Sequence, residues 1–162
     1  MNKIKKEYKL IVISIIILVL IDQLLKFVIL KVGNPIYQNT SGTYGVDSNS
    51  TFTYIVTNLI VVLIAFKFAT SQNQFVDKKI KVFLILIISG GVSNTIDRIF
   101  RGFVVEFIKI GKLPVFNLAD IFILIGWVSM AGIFAVFTTH EIKERKIEKQ
   151  NKNKKEWIIC KK

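Results

Sequence analysis

Three carboxylates stand between two apolar runs that are each long enough to cross a bilayer, and this arrangement constrains the chain most. They are Asp97, Glu106 and Asp120, carried by the stretch Gly90–Asp120, GGVSNTIDRIFRGFVVEFIKIGKLPVFNLAD. Ionised groups at the edge of a lipid phase are costly, so such residues need partners or a chemical task. The chain holds four apolar runs, Leu10–Leu30, Phe52–Ala69, Ile80–Ile96 and Ile121–Thr138. The first alone extends roughly 31 Å as a helix, enough to span the hydrocarbon layer. A soluble core could not bury so many Ile, Leu, Val and Phe in runs of this length.

The expected fold is therefore an all-α membrane protein: four transmembrane helices with a small extracytoplasmic β-rich platform. Residues 1–162 form a single polytopic domain, with spans at about 10–30, 52–69, 80–96 and 121–138. Outer loops cover 32–51 and 97–120, and a basic tail covers 139–162. The run after Met1–Lys9 also opens as a secretory signal peptide would. It continues through Asp22-Gln23 to Leu30 without a small-residue cleavage pattern, so it is expected to be a retained helix. Tyr37, Tyr44, Val46 and Phe52 give the Gly- and Ser-rich stretch Val32–Thr53 something to pack, as a loop or short β structure.

Charge sets the orientation. Of 23 Lys and Arg residues, 17 lie in the amino-terminal segment, in the middle loop with its flanks, and in the tail. The positive-inside bias then puts both termini and Thr70–Lys79 in the cytoplasm, and the two outer loops on the opposite side. The net charge of +12 sits at the ends and in one loop without interleaved aromatics. That pattern argues against a nucleic-acid partner and for anionic phospholipid at the basic termini. Cys160 is the only cysteine, so no intrachain disulfide forms; no metal-ligand spacing or Gly-rich phosphate loop occurs, and no cofactor is implied.

Within the first span, Asp22 and Lys26 are four apart and share a helix face. They form either a structural ion pair, with Lys26 snorkelling to the interface, or part of a site at that depth. Asn94 and Arg98 close the third span around Asp97. Arg98 at the lipid boundary calls for a carboxylate, from Asp97, Asp22 or Glu106. Phe103–Ile108 reads as an extended segment with one acid, Glu106, inside an apolar run. Asp120 likewise adjoins the uncharged fourth span. Two desolvated acids brought together can share a proton, one activating water and the other polarising a carbonyl, with Asn94 and Asn117 orienting them. Ser89 and Ser93 have no His or Lys placed to activate them. Spacing alone leaves a carboxylate pair, an ion or proton pathway and plain structural pairing open; the absence of an inverted repeat counts against a transporter.

Taken together, Asp22-Gln23-x-x-Lys26, Gly90-Gly91-x-x-Asn94-x-x-Asp97-Arg98-x-x-x-Gly102-x-Val104-Val105 and Phe116-Asn117-x-Ala119-Asp120 resemble the lipoprotein signal peptidase (signal peptidase II) family. The resemblance implies a metal-independent aspartic endopeptidase of the bacterial plasma membrane. Such an enzyme removes signal peptides from diacylglyceryl-modified prolipoproteins. Carried over, the catalytic pair is Glu106 and Asp120, supported by Asp22, Lys26, Asn39, Asn94, Asp97, Arg98 and Asn117. Two departures stand at the implied site. Glu106 occupies a position where the family has Asp, and Asn39-Thr40-Ser41-Gly42-Thr43-Tyr44-Gly45 replaces a loop reading N-x-G-A-A-F-G. The alternative they raise is a catalytically weak or silent paralogue that binds lipoprotein signal peptides or a peptidase inhibitor.

Overall fold

The structure, a computed structural model, describes residues 2–33, 36–40, 50–73 and 76–160. The elements in chain order are α1 (Asn2–Val32), β1 (Tyr37–Asn39), α2 (Ser50–Ala69), α3 (Lys78–Arg101), β2 (Val104–Glu106) and α4 (Leu118–Cys160). All four helices contain a segment long and apolar enough to cross a membrane. The expected class, a helical membrane protein with a small sheet, therefore holds. Residues 41–49, most of the expected outer platform, lie outside the described residues.

The chain divides into two compact units, Met1–Trp127 and Val128–Lys162. In the first, α3 is the most buried of the four span-capable helices. Its buried face carries Lys81, Leu84, Ile87 and Ile88 in the first half and then small and polar residues, Ser89, Gly90, Gly91, Ser93, Asn94, Asp97 and Arg98. Helices in lipid associate through close backbone packing and interhelical hydrogen bonds, because lipid is as apolar as a Leu side chain. Gly90 shows how tight this packing is. A Cβ there would stand 2.3 Å from the Ala119 carbonyl oxygen and 2.7 Å from Ile123. On the α2 side, Asn58 donates to the Gly91 carbonyl at 2.8 Å and to Thr95 Oγ1 at 2.6 Å. At the opposite end of the bundle, Lys81 pairs with Glu7 at 2.7 Å, tying α3 to α1.

α3 begins at a capping aspartate, with the Ile80 N–H donating to Asp77 Oδ1 at 2.8 Å. It continues past Ile96 to Arg101, because Asp97 and Arg98 face the protein interior. Gly102, at φ 79°, ends it in the left-handed conformation and donates to the Arg98 carbonyl at 3.2 Å. The turn releases the chain into β2, which pairs antiparallel with β1 in the register Tyr37↔Glu106, Gln38↔Val105 and Asn39↔Val104. A further bridge joins Ile108 to Phe116 and returns the chain to α4.

The second unit is helical through Cys160, with the side chains of residues 128–150 mostly exposed. Where its apolar run gives way to charge, the Thr138 and Thr139 hydroxyls donate to carbonyls one turn back, at 2.9 and 3.0 Å.

Gly90→Ala should therefore force α3 from the start of α4 and cost about 1–3 kcal/mol. Gly132→Ala meets nothing within 4 Å and should be neutral or slightly stabilising. Thermal unfolding of both variants in detergent, beside wild type, checks the contrast.

Candidate active site

Asp22, Lys26 and Asp97 have no solvent exposure, and two side-chain amides, a serine, an arginine and two backbone N–H groups complete their coordination. The Lys26 ammonium donates to Asp22 Oδ2 at 2.7 Å, to Asp97 Oδ2 at 2.8 Å and to Asn94 Oδ1 at 3.1 Å. An ammonium has three N–H donors, so Lys26 is fully satisfied. Asp22 also accepts from the Ser93 hydroxyl at 2.6 Å and from the Ala119 N–H at 2.9 Å, which ties α1 to α3 and to the first turn of α4. Asp97 accepts from Gln23 Nε2 at 2.9 Å, from the Val105 N–H at 3.3 Å and from Arg101 one turn along. Two buried carboxylates thus meet two cations, and the group is close to neutral.

A second layer of amides rests on this one. Asn117 precedes α4 and its Oδ1 accepts the Asp120 N–H at 2.9 Å, while the Asn117 N–H donates to Asp120 Oδ2 at 3.0 Å. This is a reciprocal capping box with Asn and Asp in place of the usual Ser and Glu. It holds the Asp120 carboxyl at a helix N-terminus. Asn94 Nδ2 donates to the other oxygen, Oδ1, at 2.7 Å. Asn117 Nδ2 bridges Asn94 Oδ1 and the Val105 carbonyl, at 3.1 and 3.2 Å. Asp120 remains half-buried, unlike Asp22 and Asp97.

Glu106 reaches the same region from β2. Alternation puts Val104 and Glu106 on one face of the strand, and Asn39, opposite Val104, is the diagonal neighbour of Glu106. Asn39 Nδ2 accordingly donates to Glu106 Oε1 at 2.8 Å. Burial pushes the Glu106 carboxyl above its ordinary pKa, and the charge of Asp120 adds to the rise. The Asn39 hydrogen bond and the positive charges of Arg98 and Lys26 oppose it.

All nine residues singled out in the sequence therefore join one contiguous region at one end of the first unit. Two expectations need correction. Lys26 does not snorkel: it is fully buried, because its three donors all find acceptors inside the protein. Nor, among the described residues, does Arg98 form an ion pair with any of the three expected carboxylates, Asp97, Asp22 or Glu106; Asp97 is occupied by Lys26 and Arg101, and Asp22 by Lys26. Arg98 lies instead over the Tyr54 ring, 3.9 Å from its centroid. Four contributors escaped the sequence reading. Gln23 donates to Ser93 Oγ at 2.9 Å as well as to Asp97, and accepts from Arg101 at 2.9 Å. Its signal was available, because an amide inside an apolar run needs a partner in lipid. Ser93 acts as a donor to Asp22, not as a nucleophile. Arg101 is four residues from Asp97, a spacing that predicts their pairing. Only Tyr54 carried no local signal. Among the described residues, no three His, Cys, Asp or Glu side chains are grouped to hold a metal ion.

The fold is that of a polytopic helical membrane protein. Two solved structures resemble it, both bacterial membrane enzymes obtained by the in meso method, one at 2.3 Å and one at 1.9 Å resolution. The first has a TM-score of 0.69 at 22% identity, covering 80% of this chain and 88% of that one. The second has a TM-score of 0.68 at 23% identity, covering 79% and 92%. Residues 14–137 match the family model described as Signal peptidase (SPase) II, and the chain belongs to that family. It is accordingly a peptidase of lipoprotein processing. A lipoprotein signal peptidase of Caldicellulosiruptor bescii is 35% identical over 91 residues, 55% of this chain and 57% of that protein, less than two thirds of its length. One of Shouchella clausii is 31% identical over 127 residues, 68% of this chain and 83% of that protein.

Removing the central cation should be severe. Lys26→Met leaves two buried carboxylates facing each other and should lower stability by about 3–5 kcal/mol. Lys31→Met, at an exposed position, should change it by less than about 0.5 kcal/mol. Denaturation in detergent micelles reads both.

Proposed function

We propose that this chain is an aspartic-type endopeptidase of the bacterial plasma membrane, using Glu106 and Asp120 as its catalytic pair. Its substrates are diacylglyceryl-modified prolipoproteins, from which it removes the signal peptide. The observation that carries this reading is the contrast between two sets of acids. Asp22 and Asp97 are saturated by cations and donors. Among the described residues, Glu106 and Asp120 are bonded only to amides: Asn39 for the first, Asn94 and the Asn117 N–H for the second. Amides orient a carboxyl without consuming its proton chemistry, whereas a lysine in contact would lock it ionised. The silent-paralogue alternative is not favoured, since the relatives carry the name of the working peptidase.

In the proposed mechanism the pair holds one proton. Both Asp120 oxygens accept hydrogen bonds, as a carboxylate does, so Asp120 takes a proton from the attacking water. The water oxygen bonds to the scissile carbonyl carbon while protonated Glu106 donates to the carbonyl oxygen. Collapse of the tetrahedral intermediate breaks the C–N bond. The amine leaves with the proton from Asp120, and Glu106 recovers its own. Of the two buried cations whose charge reaches Glu106, Lys26 is already paired with Asp22 and Asp97, which leaves Arg98 to balance a single ionised acid.

Orientation follows from the Lys and Arg bias: both termini are cytoplasmic, with anionic phospholipid against them and no role for nucleic acid. Residues 97–120 then face outward, where an exported prolipoprotein presents its cleavage site. Glu106 replaces the Asp that the family resemblance expects, and Asn39 at 2.8 Å receives the longer side chain.

A gel-shift assay with a diacylglyceryl-modified prolipoprotein tests this. Asp120→Asn and Glu106→Ala should abolish cleavage. Glu106→Asp, which draws the carboxyl back from Asn39, should reduce kcat by up to about 10²-fold. An inert wild type that gains activity on Glu106→Asp would establish the silent-paralogue reading instead. The pH dependence has a defined sign. A raised Glu106 pKa keeps its proton past the ordinary glutamate range, so the alkaline limb of kcat should fall above that range. An alkaline limb within the ordinary range would contradict the assignment.

A further inference from the structure

Arg98 is buried, yet among the described residues no carboxylate stands in ion-pair contact with it; its guanidinium lies 3.9 Å from the centre of the Tyr54 ring. This contact belongs to a regular ladder between antiparallel helices. On α2, positions 54, 58 and 62 share one face. On α3, positions 98, 95 and 91 do the same in reverse order. At one end, Val62 and Asn58 leave no room for a side chain at Gly91, where a Cβ would stand 2.9 and 3.0 Å from them. In the middle, Asn58 donates to Thr95 Oγ1 at 2.6 Å and to the Gly91 carbonyl at 2.8 Å. At the other end, Tyr54 receives Arg98. The lower rungs fix the register, so the ring is held where the guanidinium needs it.

We propose that Tyr54 is a positioning residue for catalysis: its ring holds the Arg98 guanidinium against the Glu106–Asp120 pair. The inference rests on the carboxylate reading given above. A guanidinium has a planar face that an aromatic ring attracts through its quadrupole, most strongly when water is excluded. Stacking leaves the edge N–H donors of Arg98 free of a permanent carboxylate. The cation then acts on the pair as a nearby charge without capturing either acid in a salt bridge. Asp97, the adjacent acid in sequence, is kept from competing because Lys26 and Arg101 occupy it. The groups that face Glu106 are Asn39 and the cross-strand Tyr37 from β1, Asp120 from α4, Arg98 from α3 and Lys26 from α1. Tyr54 governs only the Arg98 contribution, which favours the ionised form of Glu106.

Tyr54→Leu removes the ring face, and Tyr54→Phe keeps it. With Tyr54→Leu, kcat should fall roughly ten-fold, the size of a desolvated cation–π contact. Its alkaline limb should also move to higher pH, because a released Arg98 no longer favours ionised Glu106. Tyr54→Phe should retain both the rate and the limb. A loss of rate with an unmoved limb overturns the proposal, as does a Tyr54→Phe variant as impaired as Tyr54→Leu. Should Tyr54→Leu fail to fold, Tyr54→Met with and without Arg98→Lys closes a double-mutant cycle, and additive losses overturn the proposal. Asp120→Asn is assayed alongside. If it still cleaves, the carboxylate reading itself fails; if it is inert while Tyr54→Leu behaves as wild type, only the role of Tyr54 fails.

Discussion

The structure depends on one ammonium group. Lys26 sits with no solvent exposure between Asp22 and Asp97 and takes Asn94 as its third acceptor. An isolated charge at this depth would cost several kcal/mol, and the cost is offset only because every donor and acceptor around it is satisfied. The same carboxylates that neutralise Lys26 also bind backbone N–H groups of other elements. Asp22 holds the start of α4, and Asp97 holds β2. Both elements that carry the proposed catalytic acids are thus tethered to one buried cation.

That tether explains how polar residues come to lie in a span-capable helix. α3 uses small residues where helices must approach and polar residues where the site must be held. The amide layer of Asn94 and Asn117 then translates a rigid ionic core into a fixed orientation for Asp120. The N-x-A-D motif is at once a helix cap and a carboxyl holder: Asn117 and Asp120 exchange two hydrogen bonds, and Ala119 between them supplies the N–H taken by Asp22. Ala119 itself is fully buried, and its carbonyl oxygen stands against Gly90, where a Cβ would collide with it.

Much of this was legible in the sequence, for physical reasons. Four uninterrupted apolar runs define the helices, and acids within or beside them are conspicuous because lipid offers no partner. Glu106 in an apolar run, with Asp120 before an uncharged span, marked the candidate site. Partner choice was less legible. Arg98 and Asp97 are adjacent, but neighbours on a helix point about 100° apart, so Asp97 turns to Lys26 while Arg98 turns to α2. Tyr54 was hidden because its contact depends on the α2–α3 register, set by Asn58, Gly91 and Thr95 together. The burial of Lys26 is not legible locally, because snorkelling is the usual fate of a lysine near a span end and only the buried acceptors around it decide otherwise.

The central claim is that the Glu106–Asp120 pair activates water and that neither acid attacks the substrate itself. A single turnover on prolipoprotein in water labelled with heavy oxygen, followed by mass analysis of both product and enzyme, tests it most directly. One labelled oxygen is expected in the new carboxyl terminus of every released signal peptide, with Glu106 and Asp120 unlabelled. Unlabelled product, or label in either side chain, would mean that a carboxylate attacks the carbonyl carbon, and the proposed mechanism would be wrong.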